Sequence, residues 1–204
     1  MTRRSTDIAI AGRPVRLTVL VALLAGLLQL AGCAEMQMGQ PKATVENATV
    51  MRGAGFAPVD VGRFVADDAK GSGMDRGVSI RSNSLRSPVD GSLAQYLRET
   101  LRVELASAGL LDPKAGTVVT GVLSDSEVNA PVGEGTASLG ARFVVTRAGT
   151  VRYDKQLGVS AKWDSPFMGV SAIPQAAGQY EALYRKLVGT LLTDPAFRSA
   201  MREP

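Results

Sequence analysis

The side chains that carry out most enzyme chemistry are scarce in this sequence. Its 204 residues contain no histidine and a single cysteine, Cys33. Without histidine the chain cannot build a Ser-His-Asp triad, a Cys-His pair or the common zinc sites. A hydrolase would have to use a cluster of carboxylates with shifted pKa values, and no such cluster is recognisable. We therefore predict a non-catalytic protein.

The carboxylates that could bind a cation or act in pairs are poorly placed for either role. Asp67 and Asp68 are adjacent, so their side chains point apart on an extended chain, and no EF-hand spacing follows. Asp125, Glu127 and Asp154 are scattered along predicted strands. Gly71-Ser72-Gly73 lacks the Lys-Ser/Thr pair of a phosphate-binding loop. We favour solvated loops over functional sites here and predict no metal.

The region before Cys33 has the features of an export signal. Four arginines are followed by an apolar run from Leu17 to Leu30, interrupted only by Thr18, Gly26 and Gln29. A run of about 14 residues is short for a membrane span, which needs about 20, but suits a signal peptide. We predict that residues 1–32 are a signal peptide.

The four residues that end this region, Leu30-Ala31-Gly32-Cys33, resemble the lipobox of bacterial lipoproteins. The resemblance implies cleavage between Gly32 and Cys33, a diacylglycerol on the Cys33 thiol and an acyl chain on the new amino group. It implies no other cofactor. The alternative, a cysteine buried in a core segment, does not explain why the basic start, apolar run and small residues coincide. Because Ala34 rather than Asp follows Cys33, the family pattern favours the periplasmic face of the outer membrane.

The overall charge of +4 belongs largely to the predicted signal. Removing its four arginines and one aspartate from 23 basic and 19 acidic residues leaves 19 and 18, a net +1. Nucleic-acid binding requires a basic stripe, and none is visible, so we predict no nucleic-acid partner. Arg81 and Arg86 lie in a polar segment and are interpreted as solvated.

After the signal, residues 33–54 are interpreted as the lipidated cysteine and a flexible tether, although 44–50 could form a strand. Residues 55–204 are predicted to form a single domain. It begins with a strand over 56–65 and a long polar loop over 67–87, in which 78–80 could add a short edge strand. Asp67, Gly71 and Gly73 belong to that loop.

The rest of the chain predicts two long helices around three strands. Leucines at every fourth position predict a helix within 88–109, with Gln95, Arg98, Glu99, Arg102 and Glu104 facing water. Alternation predicts strands over 117–125, 137–146 and 151–163. A second helix is expected to open at Pro174, and a short one runs from Pro195 through Met201. The order β-α-β-β-β-α predicts an α+β fold, with a curved antiparallel sheet of about four strands and both long helices on one face.

Two features could bind a partner. Phe167, Met168 and Val170 lie between glycine and proline breaks, and form either a plug on the core, which we favour, or an exposed contact patch. An open sheet edge could also accept a strand. We expect an adaptor if the core is filled and an edge is bare. We expect a small-ligand carrier if a groove opens beside Ala137, Gly140 and Ala141.

With these elements in place, the domain resembles the YajG family of bacterial lipoproteins. The segments SLAQYLRETLRVELASAGL and ARFVVTRAGTVRYDKQLGVSAKW carry the resemblance, followed by the last amphipathic helix. The layout is more distantly similar to LptE and to the auxiliary lipoproteins of ABC-type lipid transporters. The resemblance implies an outer-membrane, periplasm-facing lipoprotein without enzymatic activity. Our first hypothesis is an adaptor that assists an envelope or lipid-transport assembly through a protein partner. Only the lipidated cysteine, Cys33, transfers as a functional residue.

Overall fold

The computed structural model describes residues 35–71 and 73–202. The strands are β1 Glu35–Gln37, β2 Asp60–Ala66, β3 Val78–Ile80, β4 Asn83–Arg86, β5 Thr117–Asn129, β6 Gly133–Arg147 and β7 Thr150–Ser165. The α-helices are α1 Val45–Arg52, α2 Leu93–Ser107, α3 Gly169–Thr193 and α4 Pro195–Met201. The predicted signal peptide and Cys33 lie outside the described residues.

The main sheet has four strands in the order β2-β5-β6-β7, and the predicted α+β class is confirmed. The alternation of apolar and polar residues that predicted β5, β6 and β7 produces two long antiparallel hairpins. The β6–β7 turn is formed by Ala148 and Gly149, both with positive φ, of 47° and 78°. Two consecutive residues of positive φ make the tight turn whose twist suits a hairpin.

One pairing in this sheet differs from the prediction of a purely antiparallel sheet. Strand β2 runs parallel to β5, with Asp60 opposite Val118 and Ala66 opposite Leu123. The reason is the connection, because helix α2 lies between the two strands. A strand that returns through a helix enters the sheet in the same direction, as in a β-α-β unit. The local alternation in β2 did not reveal its direction.

The hydrophobic core lies on one face of this sheet, under both long helices, as predicted. Strand residues that point to the helices are fully buried, and so are the facing positions of α2 and α3. They include Val119, Leu123, Leu139, Ala141, Phe143 and Val145 from the sheet, with Leu97, Leu101, Tyr180, Tyr184, Leu187 and Leu191 from the helices. The opposite face carries exposed charged residues such as Arg142 and Asp154. The fold therefore has two layers.

The predicted tether is wrong for residues 35–54, because this segment is folded onto the domain. Strand β1 pairs in parallel with β4, which pairs with β3 to complete a second, three-stranded sheet. Residues 45–52 form helix α1 rather than a strand. Met38, Met51 and Ala54 are buried in the common core. Strand β3 confirms the short strand expected within 78–80.

A buried carboxylate explains why this segment is ordered. Glu104 of α2 is fully buried and accepts hydrogen bonds from the Thr44 N–H (3.0 Å), the Thr44 hydroxyl (3.0 Å) and the Asn47 amide (2.8 Å). The Asn47 amide also donates to the Arg185 carbonyl of α3. A carboxylate at the first turn of α1 also suits the helix dipole. The prediction that Glu104 faces water is wrong, because the N-terminal segment covers that side of α2.

The start of α3 also differs from the prediction. The helix begins at Gly169, so Pro174 lies inside it rather than at its first turn. Proline at this position removes the hydrogen bond that its N–H would donate to the Val170 carbonyl. Val170 is exposed, so water can satisfy that carbonyl. The final helix α4 begins after Asp194, whose carboxylate accepts from the Ala196 and Phe197 N–H groups.

We predict that Glu104→Ala detaches the N-terminal segment. The substitution removes three hydrogen bonds, and because the detached segment reaches water, each loss costs the net value of a hydrogen bond, about 0.5–1.5 kcal/mol. The free energy of unfolding should fall by about 2–4 kcal/mol, and proteolysis should cleave first within residues 38–54. Glu99→Ala is the matched control on the same helix, since Glu99 forms only a surface ion pair with Arg102. Equal stability for the two variants contradicts the role of Glu104.

Candidate binding surface

The three residues predicted as a partner contact are exposed together after the end of β7. Phe167, Met168 and Val170 are 81%, 63% and 76% accessible. The favoured interpretation as a core plug is therefore wrong, and the alternative of an exposed patch holds. We call these three residues the apolar tip. Gly32 and Cys33, the other predicted site residues, lie outside the described residues.

Arg81 holds the backbone of the apolar tip. Its guanidinium donates to the carbonyls of Pro166 (2.6 Å), Phe167 (3.0 Å) and Ala130 (2.9 Å). A longer contact of 3.4 Å reaches the Ser165 hydroxyl. Arg81 thus ties the β3–β4 turn to the β5–β6 turn and to the loop before α3. The interpretation of Arg81 as a solvated residue is wrong, whereas Arg86 is half exposed beside Glu35.

This arrangement displays the apolar side chains instead of burying them. Arg81 donates hydrogen bonds to the backbone carbonyls of the loop and leaves its apolar side chains free. Met168 has an extended backbone just before the first turn of α3. Three large apolar side chains held in water by a fixed backbone are unfavourable unless they contact something. The apolar tip is therefore a candidate docking surface.

The space between helices and sheet is filled by aromatic side chains. Tyr96 packs edge-to-face on Tyr184, and Tyr184 on Tyr180, with ring centroids 4.8 and 5.4 Å apart. The Tyr180 hydroxyl is 2.6 Å from the Ser126 hydroxyl and 2.9 Å from that of Tyr184. Burial raises the pKa of Tyr180 to about 12 and that of Tyr184 well above its usual value. These phenols stay protonated at physiological pH and act as structural groups.

A cleft of about 480 Å³ lies beside β3, and its lining residues Ser79 and Asn129 are close in sequence to Arg81 and Ala130. The cleft is lined by residues 77–79 at the start of β3, 126–129 of β5, 136–138 of β6 and 160–162 of β7. No residue of a helix lines it, and its side chains are mostly polar. The groove imagined beside Ala137, Gly140 and Ala141 is absent from the described part of the chain, because Ala141 is buried and only Ala137 lines the cleft.

Two of the acidic residues singled out in the sequence, Asp67 and Asp154, have structural partners. The Asp67 carboxylate accepts from the Ala69 N–H. Asp154 pairs with Arg142, and the hydrogen bond from that guanidinium lowers the Asp154 pKa. Among the residues that the structure describes, no cluster of three or more potential metal ligands occurs. Neither the cleft nor these carboxylates form a recognisable catalytic arrangement.

The two edges of the main sheet differ in their protection. At the β2 edge, the Arg98 side chain donates to the carbonyls of Val61 and Gly62, and the Gln95 amide donates to that of Phe64. Both side chains had been expected to face water. At the β7 edge, among the residues that the structure describes, only the Ser160 carbonyl receives a side chain, Lys186 at 2.9 Å. Within the described ranges no strand pairs with β7 on the side away from β6.

Comparison with solved structures shows a shared fold at low sequence identity. A Xanthomonas campestris protein of family DUF330 matches with a TM-score of 0.52 and 9% identity, over 81% of this chain and 93% of that chain. A candidate lipoprotein of Caulobacter crescentus (0.42, 14% identity, 74% and 95%) and a minor lipoprotein of Acinetobacter baumannii (0.40, 9%, 69% and 93%) match less well. At TM-scores below 0.5, these two support no conclusion.

No family model and no curated protein matches the sequence. In the residues described here, no helix is both long and apolar enough to cross a bilayer. At 9% identity, the DUF330 structure establishes the fold and nothing about function.

We predict that Arg81→Ala loosens the apolar tip without unfolding the domain. Loss of the charged hydrogen bonds to the Pro166 and Phe167 carbonyls should lower the unfolding free energy by about 1–2 kcal/mol. Hydrogen exchange should accelerate in residues 165–172. Arg86→Ala is the control, since an exposed ion pair contributes at most about 1 kcal/mol. Unchanged exchange at the tip of the Arg81 variant contradicts this assignment.

Proposed function

We propose that this protein is a lipid-anchored, non-catalytic adaptor on the periplasmic face of the outer membrane. The observation that carries the proposal is Leu30-Ala31-Gly32-Cys33, placed after a basic start and an apolar run. A covalently attached lipid contributes about 0.8 kcal/mol for each buried CH₂, and stable anchoring takes more than one chain. Acylation of Cys33 on both sulfur and nitrogen supplies that number.

The order of the N-terminal segment supports close attachment to the membrane. Strand β1 begins at Glu35, two residues after Cys33. Two residues of extended chain span about 7 Å. An acylated Cys33 would therefore leave almost no free tether before the folded segment. The partner must then be reached from near the membrane surface.

The adaptor role is supported by the filled core and the exposed apolar tip. Tyr96, Tyr180 and Tyr184 occupy the space in which a carrier would hold its ligand. The apolar tip and the β7 edge offer contacts to a protein instead. The finer assignment, to the YajG family with an envelope or lipid-transport partner, is part of this proposal and is supported by the sequence segments in α2 and the β6–β7 hairpin.

A carrier for a small ligand is the second candidate, and the cleft beside β3 favours it. Its lining combines serine, threonine, asparagine, glutamate and lysine residues with Val78, Val128, Ala137 and Ala161, and this mixture of polar and apolar groups suits a glycan fragment. Adaptor and carrier differ in what stays bound to the purified protein.

We predict that Cys33→Ser releases the protein from membranes. The full chain should lose labelling by radioactive palmitate and move from the membrane to the soluble fraction. Ala34→Asp is the matched control: it keeps the cysteine and its acylation, but introduces the residue that favours inner-membrane retention in the lipoprotein family. It should stay labelled and shift to the inner membrane on a density gradient. A Cys33→Ser protein that still sediments with the outer membrane contradicts the anchor.

A further inference from the structure

In the described part of the chain, the β7 edge is the long edge of the main sheet at which a helix side chain caps a single carbonyl, that of Ser160. Strand β7 has 16 residues, and of the devices by which natural proteins protect a free edge it uses charge, with Asp154 and Lys162 among its exposed side chains. The opposite edge, on β2, shows the covered arrangement, with Gln95 and Arg98 capping its carbonyls. An edge of this length invites a second strand.

We propose that the β7 edge pairs with β7 of a second copy of this chain, antiparallel and centred on Gly158. Two identical strands related by a twofold axis satisfy each other, and the contact closes after two copies. Within residues 153–163, where the pairing of β7 with β6 is regular, each residue then faces the one whose number, added to its own, makes 316. The two four-stranded sheets become one continuous sheet of eight strands. This inference does not depend on the lipid anchor.

Charge complementarity selects this register. Asp154 and Lys162 lie on the same exposed face of β7, equally far from Gly158 on its two sides. Pairing about Gly158 therefore places Asp154 of each copy opposite Lys162 of the other. A shift of the two strands by two residues keeps the same side chains on the exposed face. It places Asp154 opposite Asp164 or opposite Ser160, and both attractive pairs are lost. Opposite charges directly across a strand pair stabilise it, and like charges destabilise it.

Neighbouring charges extend these pairs across four strands. Within one chain, Arg142 donates to the Asp154 carboxylate at 2.6 Å, and Lys162 lies 3.1 Å from Glu134. Joined across the twofold axis, the side chains run Glu134, Lys162, then Asp154 and Arg142 of the second copy. The signs alternate along the whole row, and the twofold axis produces a second identical row.

The backbone of β7 is oriented for this pairing. The Ser160 carbonyl receives Lys186 from outside the sheet, so it points away from β6. Backbone groups of residues two apart on a strand point in the same direction. The backbone N–H and C=O groups of Gln156 and Gly158 therefore also point away from β6. A carbonyl has two lone pairs, so Ser160 can accept both Lys186 and an N–H of the second strand.

Cysteine crosslinking of the full chain in its membrane tests the register. Gly158→Cys places two thiols across the axis, about 5.5 Å apart between Cα atoms. The position has room, since the nearest atom to an added Cβ is the Leu139 carbonyl oxygen at 3.8 Å. Lys162→Cys is the matched control, because its two copies lie about 26 Å apart along the strands. The wild-type chain, with Cys33 alone, is the blank.

A short thiol crosslinker should convert the Gly158→Cys chain to a species of twice its mass and leave Lys162→Cys as monomer. Equal crosslinking of both variants, no crosslinking of Gly158→Cys, or a product with a different protein overturns the proposal. The last outcome would assign the edge to a foreign strand.

Charge reversal supplies a second, independent measurement. The second variant is a Gly158→Cys chain that also carries Glu134→Lys, Arg142→Glu, Asp154→Lys and Lys162→Glu. Two copies of this variant still place opposite charges across the interface. One copy paired with a chain of native charges places like charges there. The second variant should crosslink with itself, while mixed pairs with the Gly158→Cys chain should be reduced by about tenfold or more. Its self-crosslinking shows that the variant folds. Mixed pairs as abundant as self-pairs overturn the register.

Discussion

The main sheet buries only one of its faces, and the rest of the molecule follows from this constraint. Both long helices lie on the same side, so Tyr180, Tyr184 and their leucine neighbours fill the interior and leave no room for a ligand there. The other face of the sheet is in contact with water, and it carries cross-strand ion pairs such as Arg142–Asp154. The side chains of α2 reach one edge of the sheet, and the other edge remains open. The proposed binding surfaces therefore lie at the periphery.

Polar contacts between residues far apart in sequence hold the loops at the periphery. Glu104 holds the segment that precedes α1, and Arg81 holds the loop that carries Phe167. Each residue forms hydrogen bonds to several backbone or side-chain partners through one charged group. Hydrogen bonds of a charged group are stronger than those between neutral groups. If Cys33 is acylated as proposed, a domain with a short tether and a preformed tip would lose little conformational freedom on binding. Those properties suit an adaptor.

Features encoded locally were predictable from sequence, and features that depend on distant contacts were not. The leucine spacing of α2 and the alternation in β6 and β7 indicated helix and strands because each element has one buried face. Glu104 and Thr44 are 60 residues apart, and Arg81 and Phe167 are 86 apart, so neither contact leaves a local pattern. The direction of β2 depends on a crossover that alternation does not report. Among the candidate site residues, Phe167, Met168 and Val170 could be identified from the sequence because they are apolar and lie beside glycine and proline. The sequence did not predict that they are exposed.

The most direct test of the adaptor is capture of the membrane-anchored chain in mild detergent, followed by mass spectrometry of the proteins and lipids that accompany it. A chain with Phe167→Ser and Met168→Ser is the matched control, since both side chains are exposed and their loss should not affect folding. We expect one envelope protein in stoichiometric amount with the native chain, lost with the control, and no retained lipid or glycan. A bound lipid or glycan without any protein partner would contradict the account and assign the function to the cleft beside β3.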